Sequence, residues 1–378
     1  MLKAHFRRFL EAEPGRLHFA AHSHHPWPDV TFAAQQEAWL DAARWADEKW
    51  RHIFGSVIPE AQRRIAAELN LPSPESLVFA PNTHELVLRL LSCLPERPRV
   101  LTTDSEFHSF ERQTRRLEEE GLISIERVAT EPFASFAQRF LEAASSQKPQ
   151  LVFFSHVFFN SGFIVPELAS LVRALPADAL VCVDGYHGFC AVPTDLSLLA
   201  SRAFYVAGGY KYAMAGEGAC FLHVPSSAAE LRPRNTGWFA AFGALEEKQE
   251  GRVPYAPGGA RFFGATFDVS GLYRLNAALR WRAEAHLTTE KTRAHAHALQ
   301  RRFLEALPSS ALSRAELVVP EEARRGQFLT FRTPDARALS EALAKKRVIT
   351  DARDDRLRFG FGPYQDEADV DALVERLR

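Results

Sequence analysis

Cysteine is scarce in this sequence. Four occur among 378 residues, at Cys93, Cys182, Cys190 and Cys220, and none of them stands in a C-x-x-C pair. Small secreted domains depend on many cysteines, and thiol-rich zinc sites need close pairs. The composition therefore excludes a disulfide-stapled scaffold. Because all four cysteines fall in apolar runs, we expect buried, reduced thiols.

An excess of charge of one sign is also lacking. Lysine and arginine number 46 against 47 aspartates and glutamates, which gives a formal net charge of −1. Such a balance predicts no basic surface for nucleic acid or an anionic membrane. No apolar run reaches the roughly 18 residues of a membrane span, and the first residues lack the apolar region of a secretory signal. We therefore expect a cytoplasmic protein without nucleic acid or membrane as a partner.

What is present from residue 77 onward is an alternation of short apolar runs with helical patterns. Such an alternation is typical of a mostly parallel sheet with helices on both faces. We therefore predict an α/β fold with a seven-stranded, mostly parallel sheet. Its strand candidates are residues 77–80, 100–103, 123–128, 151–157, 179–183, 204–207 and 220–224.

The alternation stops near residue 232. Glycine, proline and aromatic residues dominate 232–267, which predicts a long ordered loop. A helical pattern over about 270–307 follows, and Pro308 supplies its stop.

A smaller unit follows this helix. Strand candidates at 317–319, 328–332 and 357–361 and two helical patterns indicate an α+β arrangement. The predicted division is a large domain at 16–268 and a small domain formed by 1–15 and 269–378.

The residues with the most chemical content lie between 181 and 225. Asp184 ends one apolar run, His187 follows closely, and the next run leads into Tyr210-Lys211-Tyr212. Ligands of open α/β sheets bind outside the carboxyl ends of the strands. Pyridoxal phosphate needs a lysine for a Schiff base and a carboxylate for its pyridine nitrogen. We therefore predict pyridoxal 5′-phosphate as cofactor, with Lys211 catalytic, Asp184 and His187 at the ring, and Tyr210 as a wall that excludes water.

A phosphate site is predicted after the first strand candidate of this sheet. Asn82 and Glu85 have the N-cap and N3 spacing of a capping box at the start of a helix. Helix N-termini bind phosphate through free backbone N–H groups. We expect Thr83 and His84 to contact the phosphate.

In these motifs the sequence resembles the class V aminotransferase family of fold type I pyridoxal phosphate enzymes, and most closely its kynureninase branch. The Asp184-x-x-His187 pair and the Tyr210-Lys211-Tyr212 motif carry the resemblance. It implies that Phe107, after the second strand candidate, stacks on the pyridine ring.

The resemblance also implies a small amino acid substrate and a homodimer with the active site at its interface. Trp238 and Thr266 would reach the phosphate, Thr266 from the neighbouring subunit. Arg358 would bind the substrate carboxylate, for which a planar guanidinium is suited. Ser23, in the His- and Pro-rich loop near residue 24, would touch the substrate. The histidines of that loop have no acidic or thiol partners at ligand spacing, so no metal site is expected.

The reaction is less determined than the cofactor. Kynureninases have Asp at the position of Phe110 and, in some cases, Asn near Ala265, so the sequence departs from that branch. We expect an aminotransferase, with kynureninase-type hydrolysis of a Cβ–Cγ bond as the alternative and a catalytically silent scaffold as a second one. A cysteine desulfurase is disfavoured because it needs a cysteine on a mobile loop that reaches the substrate, whereas all four cysteines here are expected to be buried.

Overall fold

The computed structural model describes residues 2–244, 251–307, 312 and 314–378, and Pro308, the predicted helix stop, lies outside them. Within these ranges the strands are β1 (Leu17–His18), β2 (Leu77–Ala80), β3 (Arg99–Thr103), β4 (Ser124–Val128), β5 (Leu151–Ser155), β6 (Leu180–Asp184), β7 (Ala203–Gly208), β8 (Cys220–His223), β9 (Glu316–Leu317), β10 (Phe328–Arg332), β11 (Val348–Ile349), β12 (Asp351–Arg353) and β13 (Arg356–Gly360). The α-helices are α1 (Arg7–Ala12), α2 (Val30–Trp45), α3 (Lys49–His52), α4 (Ile58–Leu69), α5 (Thr83–Leu91), α6 (His108–Glu119), α7 (Phe136–Gln147), α8 (Leu168–Ala174), α9 (Ser270–Glu284), α10 (Thr289–Ala306), α11 (Ala336–Lys345) and α12 (Glu367–Leu377).

The large sheet has the strand order β2-β8-β7-β6-β5-β3-β4. Strands β3 to β7 pair in parallel with their neighbours, whereas β8 runs antiparallel to both β2 and β7. Every residue of β5 and β7 is buried, because helices cover both faces of the sheet. The predicted α/β fold with a mostly parallel seven-stranded sheet is confirmed.

The predicted single helix over 270–307 is wrong, because α9 and α10 are separated by a turn. His286 has φ of 49°, and the N–H groups of His286 and Leu287 bond back to the carbonyls of Ala283 and Arg282. These two bonds form a Schellman motif, which ends a helix. The Thr288 side chain then accepts the N–H of Lys291 and begins α10.

The second sheet is antiparallel, with the order β12-β13-β10-β9. A short parallel pair joins β1 to β11, so the N-terminal segment contacts the C-terminal unit. Strands β11 and β12 escaped prediction because two and three residues are too few to establish an alternating pattern.

The buried apolar residues form two main clusters. The larger surrounds the seven-stranded sheet and includes Leu272 and Leu275 of α9, and the smaller contains Phe303, Phe359 and their neighbours. The division into domains at 16–268 and at 1–15 with 269–378 stays a proposal. The second cluster fits a separate C-terminal unit, but Leu17 and Phe19 belong to that cluster and α9 packs in the larger one.

The cysteines are buried at three positions, as predicted, but Cys93 is partly exposed because it lies just beyond the end of α5. No helix within the described ranges is long and apolar enough to cross a membrane. The cytoplasmic location stays a prediction.

Candidate active site

A cavity of about 250 Å³ lies at the carboxyl ends of β6 and β7. Because these strands are parallel neighbours in the sheet, the residues that follow them meet at one edge. The cavity brings together seven of the predicted site residues. They are Thr83, His84, Phe107, Asp184, His187, Tyr210 and Lys211.

Lys211 is buried, and only 5% of its surface is exposed. Its Nζ lies 2.8 Å from Nε2 of His187 and between 5.3 and 5.6 Å from the ring centres of Phe107, Tyr186 and Tyr210. Burial, reinforced by the positive charge of Arg358, lowers the pKa of Lys211 to about 7. An ordinary lysine is protonated at that pH, so this site produces a nucleophilic amine.

His187 is held between the lysine and the N-terminal loop. Its Nε2 also lies 3.1 Å from the carbonyl oxygen of His22. Burial, and then the charge of Lys211, keeps the pKa of His187 well below its usual range. The ring is therefore neutral, and it positions the lysine amine without adding a charge.

Asp184 ends β6 and faces the same cavity as Lys211. Its Oδ1 accepts the N–H of Tyr186 at 2.8 Å. Burial raises the pKa of Asp184 to about 6, opposed by that hydrogen bond and by the charge of Lys211. A cationic partner inside the cavity would stabilise the ionised carboxylate further.

The N-terminus of α5 forms another wall of the cavity. Asn82 is the N-cap, and its side chain accepts the N–H of Glu85 at 2.9 Å. The predicted capping box also requires the Glu85 side chain to accept the backbone N–H of Asn82. That part of the prediction is wrong, because the Glu85 carboxylate accepts a hydrogen bond from Nη2 of Arg89 at 2.8 Å instead. Thr83 and His84 are the first residues of the helix and line the cavity.

Four predicted residues lie outside the cavity lining. Trp238 is 40% exposed, and its Nε1 donates to Oγ1 of Thr266 at 3.1 Å. Ser23 lies 3.4 Å from Nδ1 of His24, whose ring stacks on Tyr210 with 5.3 Å between centres. Arg358 is buried.

The guanidinium of Arg358 lies close enough to Lys211 to lower its pKa. Nη1 donates to the carbonyl of Phe159 and Nη2 to Oδ2 of Asp351. The rings of Phe159 and Phe328 lie 5.7 and 5.9 Å from the guanidinium carbon. Arg358 thus adjoins the site from the C-terminal unit.

Sequence reasoning missed several residues in and behind this site. Tyr186 and Cys220 line the cavity, with the tyrosine hydroxyl 3.3 Å from the thiol. Glu106 lies behind Ser155, whose Oγ and N–H donate to its carboxyl at 2.6 and 3.1 Å. Burial raises the pKa of Glu106 to about 8. The position of Glu106 directly before Phe107 was the available signal, but an isolated acid after a strand usually caps a turn.

These side chains fit pyridoxal phosphate. The cavity offers a partly neutral amine at Lys211 for the aldehyde, a carboxylate at Asp184 for the pyridine nitrogen, and the α5 N-terminus for the phosphate. The described residues contain no group of three or more histidine, cysteine, aspartate or glutamate side chains that could hold a metal ion.

Comparison with known proteins identifies relatives that are similar in sequence over part of their length. The chain is 29% identical over 228 residues to a kynureninase from Pseudomonas fluorescens, covering 59% of this chain and 54% of the relative. It is 34% identical over 134 residues to an isopenicillin N epimerase from Streptomyces clavuligerus, covering 35% and 31%. The chain thus matches about half of the first relative and a third of the second.

Solved structures share the fold over nearly the whole chain. The cystine C–S lyase C-DES, in complex with its reaction product cysteine persulfide, has a TM-score of 0.83 at 20% identity and covers 97% of this chain and 98% of its own. A mutant of the same lyase, with glycine covalently linked to its pyridoxal phosphate, has a TM-score of 0.82 at 20% identity, covering 98% of each chain.

The cofactor of this protein is pyridoxal phosphate, in agreement with the site chemistry above. The family model of the class V aminotransferases matches residues 46–373. The chain belongs to the class V aminotransferase family.

Proposed function

We propose that the protein acts on an α-amino acid and that Lys211 removes and returns the proton at its Cα. The observation that most supports this proposal is that Asp184 and Lys211 line the same cavity and that the pKa of the Lys211 amine is about 7. A general base works best when its pKa lies near the working pH. Pyridoxal phosphate, when bound, supplies the electron sink that makes the Cα proton acidic.

The other residues of the cavity hold and orient the reactants in this proposal. The carboxylate of Asp184 binds the pyridine nitrogen, and the first N–H groups of α5, at Thr83 and His84, bind the phosphate. The ring of Phe107 covers one face of the cofactor, and His187 keeps the amine of Lys211 in place.

Arg358 is proposed to bind the α-carboxylate of the substrate. It is a buried guanidinium beside Lys211, and among the described residues its Nε has no hydrogen-bond partner. A buried donor without a partner is costly, so a ligand that satisfies it gains binding energy. Ser23 is proposed to line the substrate entrance.

We propose transamination as the reaction. The support is the apolar character of positions where kynureninases carry polar groups: Phe110 is buried, and its ring stacks on Phe153 with 3.8 Å between centres. Ala265 likewise offers no hydrogen bond to a substrate side chain. Purified protein should transfer the amino group of an amino acid to a 2-oxo acid.

The second candidate is hydrolysis of the Cβ–Cγ bond of a kynurenine-like substrate. The 29% identity to a kynureninase over 228 residues favours it. To distinguish the two reactions, the protein is incubated with L-kynurenine, and release of anthranilate is measured by its fluorescence. Rapid release of anthranilate without a 2-oxo acid would reject transamination.

The alternative of a catalytically silent scaffold predicts a different effect of replacing Lys211. If Lys211 is catalytic, Lys211→Ala prepared free of amino acids should lose the absorption band of the lysine Schiff base and all turnover, whereas the exposed Lys345→Ala should keep both. An unchanged Schiff-base band in the amino-acid-free Lys211→Ala protein would reject the proposed role.

We also propose a homodimer. Large apolar side chains are exposed on α2 and near Trp238: Phe32, Trp39 and Leu40 on the helix, and Phe242 on the loop. An exposed apolar helix face such as that of α2 often marks a protein interface. Light scattering should give twice the chain mass, and Trp39→Glu should reduce it. A monomeric wild-type protein would contradict this proposal.

A further inference from the structure

The only carboxylate that reaches the guanidinium of Arg358 in the described part of the chain is Asp351. The two residues face each other across the antiparallel pair β12–β13, so their side chains lie on the same face of the sheet. Nη2 of Arg358 donates to Oδ2 of Asp351. Burial opposes ionisation of Asp351, but the interaction with His22 and then the charge of Arg358 lower its pKa, so the carboxylate stays ionised.

The position of this bond conflicts with ligand binding at the same arginine. A carboxylate binds a guanidinium bidentately through either Nη1 and Nη2 or Nε and Nη2. Both edges include Nη2, one of whose two N–H groups already bonds to Asp351, and Nη1 also donates to the carbonyl of Phe159. A second carboxylate must share Nη2 or displace Asp351, and two negative charges so close repel each other.

Asp351 has other partners within reach. Its Oδ1 lies 3.4 Å from Nε of Arg353, whose side chain is 46% exposed, and its Oδ2 lies 3.6 Å from Nε2 of the fully buried His22. The carboxylate can therefore remain compensated by Arg353 when it gives up Arg358.

We propose that Asp351 is a specificity-determining residue that competes with the incoming carboxylate for Arg358. It neutralises the buried guanidinium in the ligand-free protein and moves to Arg353 when a substrate binds. Only a ligand with additional binding energy, such as an amino acid that also binds the cofactor, displaces it. Simple monocarboxylates are rejected. This inference rests on the proposed role of Arg358.

The test uses acetate as a bare carboxylate probe on the cofactor-loaded protein. Its dissociation constant is measured from the rise in melting temperature and from the change in the visible absorption. Because Asp351→Asn keeps the shape and an acceptor oxygen but removes the charge, it should bind acetate at least about tenfold more tightly than wild type. Asp354→Asn is the matched control, since that exposed carboxylate makes the same charge change without touching Arg358.

A second variant guards against a folding defect in the first. Arg353→Gln removes the alternative partner from the surface, so acetate and amino acids should both bind more weakly than to wild type. The proposal is overturned if Asp351→Asn binds acetate no better than Asp354→Asn, or if acetate affects neither protein. It is also overturned if Arg353→Gln binds as wild type does.

Whether the protein acts on an amino acid is tested separately, by titrating the wild-type protein with each of the common amino acids. If none changes the visible absorption, the proposed function fails. The acetate series still decides whether Asp351 competes for Arg358.

Discussion

We predict that the ionisation of Lys211 controls how fast the protein captures its cofactor. Burial and Arg358 lower the pKa of this lysine to about 7. At pH 7 about half of such an amine is neutral, against about 0.04% of an ordinary lysine with a pKa near 10.4. Because only the neutral amine attacks an aldehyde, capture of pyridoxal phosphate should be roughly 10³-fold faster than by an exposed lysine.

The variant Arg358→Gln tests the electrostatic part of this reasoning. Removing the positive charge favours protonation of Lys211, so its pKa should rise by about one unit. The assay mixes cofactor-free protein with pyridoxal phosphate between pH 5.5 and 9.5 and follows the visible absorption by stopped flow. The capture rate should rise through a midpoint near pH 7 in wild type and near pH 8 in the variant. Arg337→Gln, at an exposed position of α11, should leave the midpoint unchanged.

Two results would refute this reasoning. A wild-type midpoint above pH 9 would show that the lysine behaves as if it were in water. A midpoint in Arg358→Gln at or below that of wild type would show that the arginine does not act on the amine through its charge.

Three further predictions concern stability. Phe153 is buried against the ring of Phe110, so Phe153→Ala should cost about 3–5 kcal/mol in urea unfolding, and a loss below 1 kcal/mol would contradict the packing. His286 has φ of 49° at the end of α9, so His286→Gly should raise the free energy of unfolding by about 0.5–1 kcal/mol, whereas a loss would mean that the left-handed conformation is not strained. Glu106 has a pKa of about 8 in the fold against 4.5 for a free carboxyl, so the fold binds more protons than the unfolded chain and stability falls as pH rises through that window. Between pH 5 and 8.5 the melting temperature of wild type should therefore drop more than that of Glu106→Gln, and parallel curves would reject the buried carboxyl as the cause.

The inner strands of the large sheet were predictable because they are short apolar runs buried on both faces, whereas the edge strand β4 (Ser124–Val128) is only partly buried. The cavity residues were predictable for a related reason. Asp184 and Lys211 follow strands, and parallel strands bring their carboxyl ends to one edge of the sheet. The cofactor was predictable from these residue types together with the family resemblance, since a lysine and an acid at that edge are what its aldehyde and ring nitrogen require.

The turn between α9 and α10 was hidden by a local pattern. The helical periodicity continues through Ala285 and Leu287, and the residue in the left-handed conformation is His286 rather than glycine. The capping threonine at position 288 was a usable signal. Propensity alone does not end a helix where the apolar pattern continues, because tertiary packing decides between the alternatives.

The amino-acid sequence by itself determined the sheet, the strand ends and the side chains that line the cavity there, because these depend on short patterns of polarity along the chain. Tertiary structure alone decided the charges of those side chains. The pKa of Lys211 is set by burial and by Arg358, which lies 147 residues away in the sequence, and Arg358 in turn is held by Asp351 across a strand pair. Electrostatic interactions depend on distance and on exclusion of water, and neither is known until distant segments have packed together.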